Sequence, residues 1–168
     1  MTRLNLGAGD HVIKGYISVD KYDAMADIKA DICDLPFDND SVDEIIASQV
    51  VEHIPYNKTY EMFSEMYRVL KKGAVAHIEC PDVLYAAQKI VESGDIDDLW
   101  LYHLWGEYYR PWDKDRYEDC DNHEGSKHIT GFTFNRIKRI CEPIGFEVKK
   151  VEPVFIKVAE NLAVDLIK

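Results

Sequence analysis

Two short stretches near the start of the chain carry residues that suit a nucleotide site. Gly7-Ala8-Gly9 closes the apolar run at residues 4–6, and Asp20 closes a second run at residues 16–19. Glycines at the end of a strand allow a tight turn, so that a ligand can lie against bare backbone N–H groups. A carboxylate after the next strand can accept hydrogen bonds from two vicinal ribose hydroxyls. The pair predicts a nucleoside-binding site, although many strand–helix turns need glycine for geometry alone.

Two histidines are candidates for proton transfer, because imidazole titrates near neutral pH. His128 lies beside an aromatic-rich segment and just before the last predicted helix. It is our first candidate for a proton acceptor, and a histidine that only fixes the loop is the alternative. His53 has two equal interpretations, a packing residue or a pocket residue.

A metal site can be drawn from Cys120-x-x-His123 followed by His128. A structural site of this kind needs four ligands, and no fourth ligand is evident. The four cysteines are scattered without paired spacing, which is typical of reduced thiols in an intracellular protein. We therefore predict no metal site and no disulfide.

Apolar runs alternate with helical patterns along the chain, which predicts an α/β fold with crossover helices. Caps at Asn57, Asp82 and Thr133 begin the clearest helices, and residues 71–73 would end the first of them. The predicted strands cover residues 4–6, 16–19, 26–31, 42–47, 74–79, 146–151 and part of 155–167. The last two follow each other closely and must pair antiparallel. We expect one domain over residues 1–168, with an aromatic-rich insertion at about residues 83–127.

Charge narrows the classes of partner. The net charge of −11 argues against binding of long nucleic acids or anionic membranes. No signal peptide or membrane span is predicted, so we expect a cytoplasmic protein.

A nicotinamide-dependent oxidoreductase would need a third glycine after two further residues, whereas Asp10, His11 and Val12 follow Gly9.

Several motifs, in the right order, resemble those of the class I S-adenosylmethionine-dependent methyltransferases. Residues 4–9 resemble the first motif of that family, residues 15–20 the second and residues 30–37 the adenine-binding motif. Residues 48–55 are similar to the "hxLEHL" stretch of small type 11 methyltransferases. Residues 67–73 resemble the "RVLKPGG" ending, with Lys72 in place of proline, and residues 128–133 resemble a bacterial and phage subgroup.

The resemblance implies a Rossmann-like fold, with a mostly parallel sheet and a C-terminal antiparallel strand, and S-adenosylmethionine as cofactor. It places the glycine turn at the methionine end, Asp20 on the ribose, and Asp31 with the Ile32 amide on the adenine. The implied cofactor-binding residues are Leu6, Gly7, Ala8, Gly9, Asp20, Lys21, Asp31, Ile32, Leu35, Ser48 and Gln49. For Asp31, ordinary turn capping is the alternative interpretation.

The expected function is methyl transfer from S-adenosylmethionine to an unidentified small acceptor, such as a sugar, nucleotide or metabolite. Aromatic residues of the insertion would stack on the acceptor, or else pack a helix and loop onto the sheet edge. Because the first crossover at residues 11–15 is short, a non-catalytic S-adenosylmethionine-binding domain with an interaction or regulatory role is the alternative.

Overall fold

A seven-stranded sheet forms the centre of the molecule. The structure, a computed structural model, describes residues 1–9, 11–106, 127–157 and 160–168. The strands follow the order β3-β2-β1-β4-β5-β7-β6 across the sheet. Their bounds are Arg3–Leu6 (β1), Ile17–Asp20 (β2), Ile28–Lys29 (β3), Val42–Ser48 (β4), Leu70–Pro81 (β5), Glu147–Val151 (β6) and Asn161–Ile167 (β7).

The first five strands are parallel, and β7 pairs antiparallel with both β5 and β6. The predicted Rossmann-like sheet with an antiparallel C-terminal pair is thus confirmed. The strand order reverses between β1 and β4, so the connections leave these two strands in opposite directions. In open α/β sheets, ligands bind beyond the carboxyl ends of the strands at such a point.

Within the described ranges, four α-helices accompany the sheet: Thr59–Val69 (α1), Val83–Ser93 (α2), Asp98–Trp105 (α3) and Phe134–Cys141 (α4). The predicted caps of α2 and α4 are confirmed, since the Asp82 and Thr133 side chains accept from backbone amides of the first turn. The predicted cap at Asn57 is wrong. Asn57 lies in a 3-10 turn at Tyr56–Lys58, and α1 begins after that turn without a side-chain cap.

The predicted end of α1 is also wrong by several residues. The helix ends at Val69, and residues 71–73 belong to β5. Leu70 is fully buried and pairs with Val42 of β4, so packing on the neighbouring strand starts β5 there. Lysines followed by glycine are typical of a helix end, but here pairing to the sheet outweighs that local preference.

The core lies between the sheet and the helices that cover it. Strands β1, β4, β5 and β7 supply most of its aliphatic side chains, and α1 supplies Met62, Phe63, Met66 and Val69. The rings of Phe63 and Phe132 meet edge to face at 6.1 Å, which joins α1 to the segment before α4. The central strands are therefore buried on both faces and hold the carboxyl edge in place.

The predicted insertion begins with two packed helices. The Tyr85 ring on α2 lies 6.0 Å from the Trp100 ring on α3. Residues 107–126, which include Tyr108, Tyr109, Trp112 and Tyr117, lie outside the described residues. None of the helices in the part of the chain that the structure describes is long and apolar enough to cross a membrane.

Candidate active site at the carboxyl edge of the sheet

The turn after β1 approaches the segment after β4 closely. Gly7 has a φ of +62°, and a Cβ atom built there would overlap the Val50 side chain. The Gly7 amide donates to the Val19 carbonyl at 2.8 Å, and the Asn5 side chain donates to the His11 carbonyl at 2.8 Å. Glycine is required here by both backbone conformation and space.

Asp20 ends β2 with its carboxylate held by backbone amides. One oxygen accepts from Tyr22 at 2.8 Å and Asp23 at 3.0 Å, and the other accepts from Gly9 at 3.0 Å. Partial burial raises the pKa of Asp20, but these hydrogen bonds outweigh it and hold the pKa below its ordinary value. The carboxylate is ionised at neutral pH and fixed beside the glycine turn.

Asp31 lies on the other side of the same recess. Its Oδ2 is 3.0 Å from Lys21 Nζ, and its Oδ1 accepts from the Cys33 amide at 2.9 Å. Burial raises the pKa of Asp31, yet the Cys33 and Lys21 contacts bring it below the ordinary value. Asp31 therefore caps a turn by accepting from the Cys33 amide, as in the alternative interpretation. It also lines the cavity next to Asp20.

These elements enclose a cavity of about 610 Å³, within the range of ligand sites in proteins. Seven of the predicted cofactor residues line it: Gly7, Gly9, Asp20, Lys21, Asp31, Ile32 and Gln49. Of the other four, Leu6 and Leu35 are core residues, Ala8 is buried, and Ser48 ends β4 outside the lining. The Asp20 carboxylate suits the ribose hydroxyls of S-adenosylmethionine. The glycine turn beside it suits the methionine end.

A 3-10 turn at Val51–His53 follows β4 and is hydrogen bonded to the segment at residues 129–130, which is distant in sequence. The Glu52 carbonyl accepts from the amides of Ile129 and Thr130, each at 3.0 Å. The Thr130 hydroxyl donates to the Ile54 carbonyl at 2.7 Å. These bonds bring His128 next to Glu52 and His53.

A second cavity of about 420 Å³ adjoins the first, and Gln49 and His53 line both. Its wall is mostly polar or aromatic and includes Glu52, Tyr102, His103, His128, Glu160 and Asn161. Both predicted catalytic histidines, His53 and His128, thus lie in one place, and their rings are 5.0 Å apart. Whether either histidine takes part in catalysis stays a prediction.

Burial dominates the electrostatics of the second cavity. It raises the pKa of Glu52 to about 8 and lowers the pKa of His128 to about 4. Neighbouring His53 and His103 lower the pKa of His128 further, while its hydrogen bond to the His103 carbonyl opposes them. Glu52 Oε1 and His128 Nε2 are 3.9 Å apart, so at neutral pH the imidazole is uncharged and Glu52 is largely protonated.

Sequence reasoning did not identify Glu52 as a site residue. The only available signal was its position directly before His53 in the motif-like stretch at residues 48–55. Cys120 and His123, which the sequence pairs with His128 as conceivable metal ligands, lie outside the described residues. The structure instead places Glu52 and His53 beside His128.

Comparisons with known proteins agree with this architecture. A family model described as a methyltransferase domain matches residues 14–78, which run from just before β2 into β5. No curated protein sequence matches the chain. Solved structures of similar fold include S-adenosylmethionine-dependent methyltransferases from Archaeoglobus fulgidus and Aquifex aeolicus and a TehB-like one from Corynebacterium glutamicum.

The Archaeoglobus structure has 16% sequence identity and a TM-score of 0.62, and the match covers 99% of this chain and 86% of that one. The Aquifex structure has 14% identity and a TM-score of 0.58, covering 99% and 81%. The Corynebacterium structure has 13% identity and a TM-score of 0.59, covering 99% and 79%. At these identities the likeness shows the fold. The family match shows a methyltransferase domain over residues 14–78, on a fold that the chain shares with S-adenosylmethionine-dependent methyltransferases.

Proposed function

We propose that the chain methylates a small polar acceptor, such as a sugar, a nucleotide or another metabolite, bound in the second cavity. The observation that carries this proposal is the junction of the two cavities, because Gln49 and His53 line both. A donor in the first cavity and an acceptor in the second would therefore meet at these two residues. The volume of about 420 Å³ suits a small molecule.

In the first cavity we assign donor binding to the predicted residues that line it. S-adenosylmethionine supplies an electrophilic methyl group on a sulfonium, so the protein mainly has to align the two reactants. The Asp20 carboxylate would accept from the ribose hydroxyls. Asp31 would accept from the adenine amino group, and Lys21 would have to turn aside or share that carboxylate, since it contacts Oδ2.

In the second cavity we assign acceptor binding to His53, His128 and Tyr102. The low pKa of His128 keeps its ring neutral, so Nε2 can accept a hydrogen bond from a hydroxyl or amine. The Tyr102 ring lies 6.2 Å from the His128 ring and offers an aromatic surface to a sugar or base. We also propose a cytoplasmic location, because the scattered cysteines are typical of reduced thiols in an intracellular protein.

The test separates donor binding from transfer. Calorimetry should show binding of S-adenosylmethionine and S-adenosylhomocysteine, and a radiolabelled methyl donor should label one class of compound in a panel of sugars, nucleotides and metabolites. His128→Gln should reduce transfer at least 100-fold and leave affinity for S-adenosylhomocysteine within about twofold. His11→Gln is the matched control, because His11 is exposed and lines neither cavity.

Two results would contradict the proposal. Absence of binding to either cofactor form by the folded protein would remove the assignment of the first cavity. Tight binding with no methylated product across the panel would favour the alternative, a non-catalytic S-adenosylmethionine-binding domain with a regulatory or interaction role.

A further inference from the structure

Three side chains with metal-binding atoms meet where the two cavities join. Glu52, His53 and His128 each offer one ligand atom, and these three atoms lie within 4.8 Å of one another. Glu52 and His53 belong to the turn after β4, and His128 belongs to the segment that is hydrogen bonded to that turn. The separation is short enough for one ion to contact all three after small side-chain movements.

Glu52 is a buried carboxyl group without hydrogen-bond donors among the residues that the structure describes. The residue is 2% exposed, and neither of its side-chain oxygens has a hydrogen-bond partner there. Buried polar groups are nearly always hydrogen bonded, because desolvation without compensation is costly. The Glu52 side chain nevertheless lines the second cavity. A cation between Glu52 and the histidines would supply the missing interaction.

The two histidines are oriented as metal ligands usually are. His53 Nδ1 lies 2.9 Å from the Lys127 carbonyl oxygen, and His128 Nδ1 lies 2.9 Å from the His103 carbonyl oxygen. A carbonyl oxygen only accepts, so Nδ1 carries the proton in both rings. In the neutral ring Nε2 then carries the lone pair. Metal-binding histidines commonly donate their second ring N–H to a carbonyl or carboxylate in this way.

We propose that Glu52, His53 and His128 bind a divalent first-row transition-metal ion at the junction of the cavities. Two imidazole nitrogens and one carboxylate oxygen suit ions such as Zn²⁺, Mn²⁺ or Fe²⁺, whereas Mg²⁺ and Ca²⁺ prefer sites made of oxygen atoms. Three protein ligands beside a cavity leave coordination positions open for a ligand from the cavity.

A role for the ion in catalysis rests on the proposed function, but its binding does not. In the metal-bound protein, His53 and His128 would be ligands of the ion, so the methyl acceptor would bind the ion in place of its hydrogen bond to His128 Nε2. A bound divalent ion lowers the pKa of a coordinated hydroxyl, so a hydroxyl-bearing acceptor could release its proton to solvent. The oxygen would then form a bond to the methyl group as the S–CH₃ bond breaks, with S-adenosylhomocysteine as the leaving group. This proposal differs from the sequence-based prediction that the chain has no metal site.

The test is binding of Co²⁺, whose visible absorption bands report its ligands. The metal-free protein should bind one equivalent of Co²⁺, and Zn²⁺ should displace it. Glu52→Gln, His53→Gln and His128→Gln should each weaken Co²⁺ binding at least 100-fold. Calorimetry with S-adenosylhomocysteine, run on the same samples, shows that each variant is folded, and Glu52→Gln and His128→Gln should bind it within about twofold of wild type.

Two control variants show whether Co²⁺ binds at these three residues and not elsewhere on the chain. Glu61→Gln changes an exposed carboxylate that pairs with Lys58 and should leave Co²⁺ binding unchanged. Cys120→Ser removes the ligand that the sequence suggests and should also leave it unchanged. Loss of Co²⁺ in Cys120→Ser with retention in Glu52→Gln would overturn the proposal. So would wild-type protein that binds S-adenosylhomocysteine but takes up no Co²⁺, and that result would leave the proposed function intact.

Discussion

Gly7 and Val50 lie so close together that position 7 has no room for a side chain. A Cβ atom on Gly7 would lie 2.5 Å from Val50 Cβ and nearer still to Cγ2. Both residues line the first cavity. The backbone of Gly7 in the turn after β1 therefore contacts the Val50 side chain in the segment after β4. This contact forms part of the wall of the first cavity.

Gly7→Ala should disturb that wall. The added methyl group forces Val50 or the turn aside, and the φ of +62° disfavours alanine as well. We expect affinity for S-adenosylhomocysteine to fall at least tenfold by calorimetry. The free energy of unfolding, measured with urea, should fall by about 2 kcal/mol.

Gly73→Ala is the matched control for that substitution. Gly73 has a φ of +82°, but a Cβ atom there would meet nothing within 4 Å. It should lower the free energy of unfolding by about 1 kcal/mol through conformation alone and leave cofactor affinity unchanged. Equal effects of the two variants on affinity would mean that the Gly7–Val50 contact does not shape the cavity.

Asp20→Asn tests the hydrogen-bond-accepting carboxylate at the end of β2. The three amides that donate to the Asp20 carboxylate would lose their charged acceptor, and an asparagine NH₂ group would face some of them. We expect affinity for S-adenosylhomocysteine to fall at least tenfold. Asp27→Asn is the control, since Asp27 accepts from Ser18 in the same strand but does not line the cavity. Weakening of binding by Asp27→Asn to the same degree would point to a general loss of order in β2.

Much of the fold could be predicted from the sequence because local patterns and long-range packing agree. The β1 and β2 turns, the cap of α2 at Asp82 and the cap of α4 at Thr133 all lie where their residue types place them. The start of α1 and the start of β5 could not be predicted in this way. Asn57 and residues 71–73 have the local preferences of a helix cap and a helix end, but pairing of Leu70 with Val42 decides where β5 begins.

Site residues could be predicted from the sequence only where a motif places them at the end of a strand. Gly7, Asp20 and Asp31 each lie at or just after the end of a strand at the carboxyl edge, so their order in the sequence already implies that they are neighbours. The cluster of Glu52 with His128 depends on hydrogen bonds from residues 129 and 130 to the Glu52 carbonyl. The local sequence of neither segment predicts that contact.

Arg68 on α1 fastens the segment that carries Asp31 and Ile32. Its guanidinium donates to the carbonyls of Leu35 at 3.0 Å and Phe37 at 2.8 Å. Glu65 pairs with it at 2.6 Å and also accepts from the Leu35 amide at 2.8 Å. The side of the cavity that we assign to adenine is thereby held to a helix of the core.

Arg68→Met should loosen this segment and keep the apolar stem of the side chain. Hydrogen exchange, followed by mass spectrometry, should accelerate at least tenfold in peptides spanning residues 31–39. Affinity for S-adenosylhomocysteine should fall at least threefold. Lys89→Met, which breaks an exposed pair with Glu92 on α2, should change neither quantity. Unchanged exchange in Arg68→Met would show that the core alone orders the segment.

Glu79 on β5 fastens the connection between β6 and β7. Its buried carboxylate accepts from the amides of Val154, Phe155 and Ile156 and lies 3.0 Å from His77 Nε2. Burial raises the pKa of Glu79, but the His77 contact and the three amides outweigh burial and hold the pKa below 4.5, its ordinary value. Ile156 lines the second cavity, so this connection also forms part of the proposed acceptor site.

The depressed pKa of Glu79 predicts how stability depends on pH. The folded state binds the proton more weakly than the unfolded state, so this contribution is complete above pH 4.5 and is lost as the pH falls through the folded-state pKa. Glu79→Gln should lower the free energy of unfolding by about 2 kcal/mol at pH 7, because the amides lose a charged acceptor. Urea unfolding at pH 7 and at pH 3 should show the gap to wild type narrowing at the lower pH. A gap of the same size at both values would mean that shape, and not charge, is what Glu79 contributes to this connection.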